Sequence, residues 1–305
     1  MELWRRSARD LAQLIASRQV SSREVVSAHL QRIEEVNPHL NAVIRRMDES
    51  ALAGADAADA AVRRGEPLGP LHGVPFTVKE NIDVAGTPTT SSVVALAGAI
   101  SNTDAPVVER MKAAGGIVVG RTNLPDMGLR IHTDSSLHGL TRNPWDPNRT
   151  AGGSSGGEGS ALASGMSPIG LGNDIGGSLR NPAHCCGVAS IKPTQGVIPG
   201  ATEIPPTAYS LAFQLMASEG VMARRVSDVR LGFDIVRGQH RRDPYSVAAG
   251  LPDAPNGRPW KVAVMDVPPG GSTDPGIASV VRAAGDALSR AGHDVVTATP
   301  PDFEE

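Results

Sequence analysis

Through the first 64 residues apolar side chains recur every three or four positions, a spacing that predicts helices. Ser7 precedes a run that reaches Ile15, and Ser21 precedes a second that reaches Val36. Glu24, three residues after Ser21, completes a capping box, in which the serine and the glutamate each take a backbone N–H left free at the helix start. Alanine-rich Ser50 to Arg64 predicts a third helix. The pattern then shortens. Phe76 to Lys79 reads as a short strand, Pro106 to Ala114 as a helix and Ile117 to Val119 as a buried strand. That order predicts an α/β fold with a parallel sheet, and it puts Lys79 at the end of a strand.

Arg142 to Ala151 is polar and broken by proline, so Gly152 to Gly157 emerges from a loop, with a helix expected over Gly159 to Ser164. Pro168 to Leu171 is a candidate strand leading into a turn at Gly176-Gly177-Ser178 and a short helix. A strand–turn–helix junction is a place where a nucleophile can be exposed. Pro205 to Ser218 shows no clear period. Lys261 to Met265, Pro275 to Arg290 and Asp294 to Thr297 read as a βαβ unit. Pro300 to Glu305 has the look of a helix start with Asp302 as its cap, and the chain stops there, so truncation at the C-terminus is expected. The organisation expected is one domain over 1–305: a helical segment 1–65, a core 66–240 and the start of a further portion 241–305.

Composition narrows the function classes. The 305 residues are 40% hydrophobic with a net charge of −3, enough for a sizeable core and with no electrostatic reason to bind nucleic acid or an anionic membrane. Met1 to Ser22 is amphipathic and interrupted by charges, unlike a signal peptide, and no run of about 18 apolar residues occurs. The two cysteines, Cys185 and Cys186, are adjacent, which suits neither an ordinary disulfide nor a metal framework and fits a reducing cytoplasm. Cys186 reads as packing. Lysine occurs only at Lys79, Lys112, Lys192 and Lys261, every other basic residue being arginine. Where chemistry needs an amine that can lose its proton, arginine cannot serve, so the candidates are few.

Two serines lie on separate glycine-bracketed turns, Gly152-Gly153-Ser154-Ser155-Gly156-Gly157 and Asp174-Ile175-Gly176-Gly177-Ser178-Leu179-Arg180, with Lys79 far upstream. A lysine is a base only when neutral, and burial can bring its pKa from about 10.4 toward about 7–8. Taken singly, each part has a plainer reading. The glycine run would be a linker, Lys79 a solvated charge beside Glu80 and Ser178 a helix cap. In this order the set is highly specific and suggests a Ser-Ser-Lys catalytic machine. Asp174 and Arg180 flank the second turn and read as braces.

The first turn also satisfies G-x-S-x-G around Ser155, which raises an α/β-hydrolase triad as the alternative. The polar loop before it and the lack of a His-Gly-Gly-Gly segment oppose that reading, and His240 and His293 read as surface residues. Gly170 to Gly176 has one residue too many for a dinucleotide fingerprint, and no phosphate-binding Gly-Lys-Ser/Thr ending is present.

With those motifs in place, the chain resembles the amidase signature family of serine hydrolases. Gly73-Val74-Pro75, Gly120 to Pro125, Asn143 to Asp146, Gly187-Val188 and Lys192-Pro193-Thr194 extend the likeness from the first helices to the last residue. Ser190 departs from it, where the family generally has glycine. The resemblance implies an amidase-signature-type fold, α/β with a central mixed, largely parallel sheet flanked by helices. It implies Ser178 as nucleophile, Ser154 as relay after a cis peptide bond and Lys79 as base. It further implies backbone N–H groups of Ile175, Gly176, Gly177 and Ser178 as oxyanion donors, with Ser155, Asp174 and Arg180 in support. No cofactor and no metal are implied. The partner expected is a small-molecule amide, with no nucleic acid and no membrane, and a homodimer stays open. Within the resemblance, a glutaminase subunit of a tRNA-dependent amidotransferase and a non-catalytic fragment stand as alternatives.

Overall fold

The computed structural model describes residues 2–205, 207, 210–248 and 258–298. It divides into two compact units, Met1–Ala249 and Gly250–Glu305.

The first unit opens with the two helices that the periodicity predicts, α1 (Ala8–Ala16) and α2 (Ser22–Leu40). Ser7 Oγ accepts from Asp10 N at 3.0 Å, and the Asp228 carboxylate receives the next free N–H groups, those of Ala8 and Arg9. The Ser21–Glu24 capping box is formed. α2 runs past Val36 to Leu40 with Pro38 in its last turns. There Asn37 Oδ1 takes the N–H groups of Ala42 and Val43, which turns the chain into β1 (Val43–Arg46). α3 spans Asp48–Arg64.

The sheet takes shape with β2 (Pro75–Lys79), α4 (Pro106–Ala113) and β3 (Ile117–Thr122). A small hairpin, β4 (Asp134–Ser135) and β5 (Gly139–Leu140), precedes α5 (Gly156–Ala163), β6 (Ile169–Asp174) and α6 (Arg180–Cys186). β7 (Ala189–Ser190), α7 (Leu211–Met216), β8 (Ser218–Ala223) and α8 (Val226–Val236) follow. The six-stranded order is β1-β3-β2-β6-β8-β7. β3, β2 and β6 run parallel, while β1 and β8 pair antiparallel with their neighbours, so most strands point one way. The sheet is mixed and largely parallel, as the resemblance implied.

Alternation along β3 sends Val118 to one face and Val119 to the other. On the first face Phe76, Val78, Ile169 and Val221 pack with Leu11, Ile15, Met111 and Phe233. On the second, Val26, Ile33 and Ala55 meet Ala161 of α5. Burying each large apolar side chain contributes about 1.5–3 kcal/mol. Several boundaries move from the expected ones. β3 continues through Gly120, Arg121 and Thr122, because these residues pair with β1 on one side and β2 on the other. β6 continues to Asp174, because it pairs in register with β8, where Asn173 faces Glu219. β8 and α7 lie in and beyond the stretch that showed no period.

In the second unit β9 (Lys261–Val264), α9 (Pro275–Arg290) and β10 (Asp294–Thr297) form the expected βαβ, with β9 and β10 parallel. Asp274 Oδ1 caps α9 through Gly276 N at 2.8 Å, with Pro275 at the first position. The helix expected at Pro300 to Glu305 lies outside the described residues. Among the described residues no helix is long and apolar enough to cross a membrane.

Candidate active site

Lys79 is the last residue of β2, a strand whose five residues are all buried. Beyond it Arg121 gathers the carbonyls of Glu80 and Ile82, at 2.7 and 2.6 Å, and so fixes the chain where it leaves the sheet. Glu80 is buried too, its carboxylate taking Thr90 N at 2.6 Å, so neither residue is a solvated charge. Lys79 Nζ donates to Ser154 Oγ at 2.7 Å and to Asn173 Oδ1 at 2.6 Å. Burial lowers the lysine to about 7, against the opposing pull of Glu219, Asp174 and Glu158.

Ser154 reaches Lys79 from the first glycine turn, and the Gly153–Ser154 peptide bond is cis. A side chain at Gly153 would lie 2.6 Å from Arg130 O and His132 N, so the turn requires glycine there. Ser155 stands just before α5 and is fully buried; its Oγ donates to Asn173 O at 3.4 Å. No histidine hydrogen-bonds Ser155 among the described residues. His240 faces Glu109 with little exposure and is not the surface residue the sequence suggested.

The second turn is tied to the first by Ser155 N donating to Ser178 O at 3.2 Å and Gly153 N donating to Asn181 Oδ1 at 2.9 Å. Ser178 and Ile175 are half-buried, and Gly176 is exposed. Asp174 holds the turn together. Its carboxylate takes Gly177 N at 2.7 Å, Leu179 N at 3.0 Å and Arg180 N at 3.3 Å, and Arg180 Nε and a terminal guanidinium nitrogen at 3.0 and 2.9 Å. Burial pushes this carboxyl up, but Arg180 and the backbone donors outweigh it and hold it at about 2. Cys186 is buried, with Sγ on Ala151 O at 3.3 Å, and burial pushes its thiol up to about 12.

Several residues escaped the sequence reading. Glu158 is buried in α5, where its carboxylate receives the hydroxyls of Thr77 and Thr122, the latter at 2.7 Å, and burial raises it to about 7. A lone carboxylate within Gly-Gly-Glu-Gly-Ser-Ala-Leu-Ala was a legible signal. Asn173 and Glu219 gave none, since their meeting depends on the register of β6 with β8. A cavity of about 570 Å³ opens beside Asn81, Asn173 and Glu219 and is walled by Ile82, Ile198 and Phe213.

A mixed α/β sheet that presents a buried lysine to a serine, between two joined glycine–serine turns, defines a class of protein built on a serine–lysine centre. The chain belongs to the amidase family, whose model, described as Amidase, matches residues 24–305. It is 47% identical over 301 residues to an indoleacetamide hydrolase of Bradyrhizobium diazoefficiens, covering 99% of this chain and 57% of the relative. It is 38% identical over 309 residues to a glutamyl-tRNA(Gln) amidotransferase subunit of Acidothermus cellulolyticus, covering 99% and 60%. Among solved structures, a 6-aminohexanoate cyclic dimer hydrolase in complex with substrate superposes with a TM-score of 0.85 at 34% identity, over 98% of this chain and 62% of that one. A bacterial aryl acylamidase superposes with a TM-score of 0.86 at 31% identity, over 96% and 61%. The chain thus spans about three fifths of the length of these relatives.

Proposed function

We propose that the chain carries the chemistry of an amidase, hydrolysing a small carboxamide to a carboxylate and ammonia or an amine through an acyl-serine. The observation that supports this most is the 2.7 Å contact between buried Lys79 Nζ and Ser154 Oγ. A lysine titrating near 7 is largely neutral at slightly alkaline pH and can accept a proton. In this reading Ser178 Oγ attacks the amide carbon while its proton passes to Ser154, whose own proton passes to Lys79. The oxyanion is received by N–H groups of Ile175, Gly176, Gly177 and Ser178, and losing one such donor typically costs about 3–4 kcal/mol of barrier. Gly177 N–H is on Asp174 in this structure, so its share would be drawn from that carboxylate. The C–N bond breaks as the Lys79 ammonium returns a proton through Ser154 to the leaving nitrogen. Water, deprotonated by the same route, then attacks the acyl-serine, releases the carboxylate and restores the Ser178 hydroxyl.

Identity to the indoleacetamide hydrolase and the apolar cavity walls favour a primary amide on an aryl-bearing acyl group. The test is ammonia release from indoleacetamide and a panel of simple amides by the purified chain and by Ser178→Ala. The variant should melt like the parent and release nothing. Undiminished hydrolysis by Ser178→Ala would sink the assignment. The likeness to the amidotransferase component supports a second reading, a glutaminase; it predicts ammonia from glutamine only when partner subunits are added. A well-folded chain that ignores a serine-directed fluorophosphonate would instead be a non-catalytic fragment. The free cysteine pair fits a cytoplasmic setting.

A further inference from the structure

Three carboxylates act on Lys79, and two are already committed. Asp174 is taken by Arg180 and three backbone N–H groups, and Glu158 by the hydroxyls of Thr77 and Thr122. Glu219 differs. It stands on β8 directly across from Asn173 on β6, and Asn173 Oδ1 receives Lys79 Nζ. Its Oε2 is shielded from solvent and has no hydrogen-bond partner. Such an oxygen is costly to keep charged unless a cation lies close. The other acids that act on it, Asp83 and Asp243, oppose its ionisation. Arg242, across the cavity, is held by Thr103, Asp104 and Glu109. Among the described residues, Lys79 is the cation that favours its charged form, and the Asn173 side chain between them acts in the same direction.

We propose that Glu219 is a positioning residue for the lysine: across Asn173 the two exchange charge states, one proton residing either on the Lys79 amine or on the Glu219 carboxyl. The inference rests on Lys79 being the base in the reading above. With the proton on Glu219 the amine is neutral and ready to accept from Ser154. With the proton on Lys79 the pair is ionic and the base is idle. Burial raises Glu219 and lowers Lys79, and each favours the charged form of the other, so their titrations are coupled.

The scarcity of lysine makes the test direct. Lys79, Lys112, Lys192 and Lys261 are the only lysines, so carbon NMR of protein labelled at lysine Cε resolves few signals, and Lys79→Arg identifies the one that matters. Glu219→Gln should raise the acid dissociation constant of Lys79 roughly thirtyfold, the effect of losing a charge on the order of 8 Å away at an effective dielectric near 20. The pH profile of fluorophosphonate labelling should move toward acid by the same factor, with its alkaline plateau unchanged. An unmoved Lys79 titration in a folded Gln variant overturns the proposal. If that variant does not fold, Lys79→Met serves, with the Glu219 carboxyl followed by carbon NMR. Its titration should move to higher pH, and a stationary value is equally fatal. Parent protein that resists the fluorophosphonate counts against the amidase reading, while the lysine titration still decides the pairing.

Discussion

Replacing Asp174 by asparagine removes a charge and one acceptor from the brace beneath the Ser178 turn. Oδ1 takes Gly177 N and one Arg180 nitrogen, while Oδ2 takes Leu179 N, Arg180 N and Arg180 Nε. Whichever oxygen becomes an NH2 group, at least two donors then face a donor. At about 1–1.5 kcal/mol for each lost bond, with more for the charged ones, the variant should be less stable by about 2–4 kcal/mol at pH 7. The loss should depend on pH. The folded carboxyl titrates at about 2, below its unfolded value of about 3.9, so its stabilisation is complete above pH 4 and fades as pH falls through the folded value. Arg180 is more than half exposed, so screening limits this part to on the order of 1–2 kcal/mol. Urea unfolding followed by circular dichroism at pH 7 and pH 3 measures both numbers, and the gap between parent and variant should narrow at the lower pH. Because the turn carries Ser178, fluorophosphonate labelling should slow by about 30–100-fold, the usual cost of moving a reacting group by about 1 Å. A variant with the parent's unfolding midpoint and labelling rate would refute the brace. Arg180→Ala, which leaves the backbone donors bound, should cost under about 1 kcal/mol.

Three further outcomes follow from the burial of single groups. Lys79→Met should abolish labelling yet stabilise the chain below pH 7. Burial depresses the folded lysine to about 7, so the parent carries a cost of a few kcal/mol at low pH that is relieved as pH rises from about 7 toward the unfolded value of about 10.4; melting curves at pH 6 and pH 9 should show the gain shrinking. Gly170→Ala would set a methyl group 1.8 Å from Glu158 Oε1 and 2.9 Å from Thr77 Oγ1, and should destabilise by about 3 kcal/mol or more. Combining it with Glu158→Ala should cost much less than the sum of the two, and simple additivity in denaturant melts would show that the clash is not with that carboxylate. Cys186 should resist a thiol-exchange reagent at pH 8 in the native protein and react in urea, and fast native reaction, located by peptide mapping, would contradict its burial.

Local interactions made part of this molecule readable in the sequence. The Ser7 and Ser21 caps, α1, α3, α4 and the βαβ of the second unit are governed by residues within a few positions of one another, so period and capping chemistry identify them. Lys79, Ser154 and the Ser178 turn were legible as a set of unusual residues in a telling order, and the resemblance named the family that the comparison then established. What belonged to the tertiary structure is every pairing across distance. Lys79 meets Ser154 from 75 positions away and Asn173 from 94, and Glu158 meets Thr77 across 81. β8 starts at the end of the stretch that showed no clear period and was not read as a strand, yet its register with β6 sets Glu219 opposite Asn173, and pairing with it carries β6 out to Asp174. Sequence alone shows which side chains can do acid–base chemistry. Only folding removes them from water, and that desolvation brings a lysine and two glutamates to similar proton affinities, while the donors that folding gathers around Asp174 keep it ionised against the same burial.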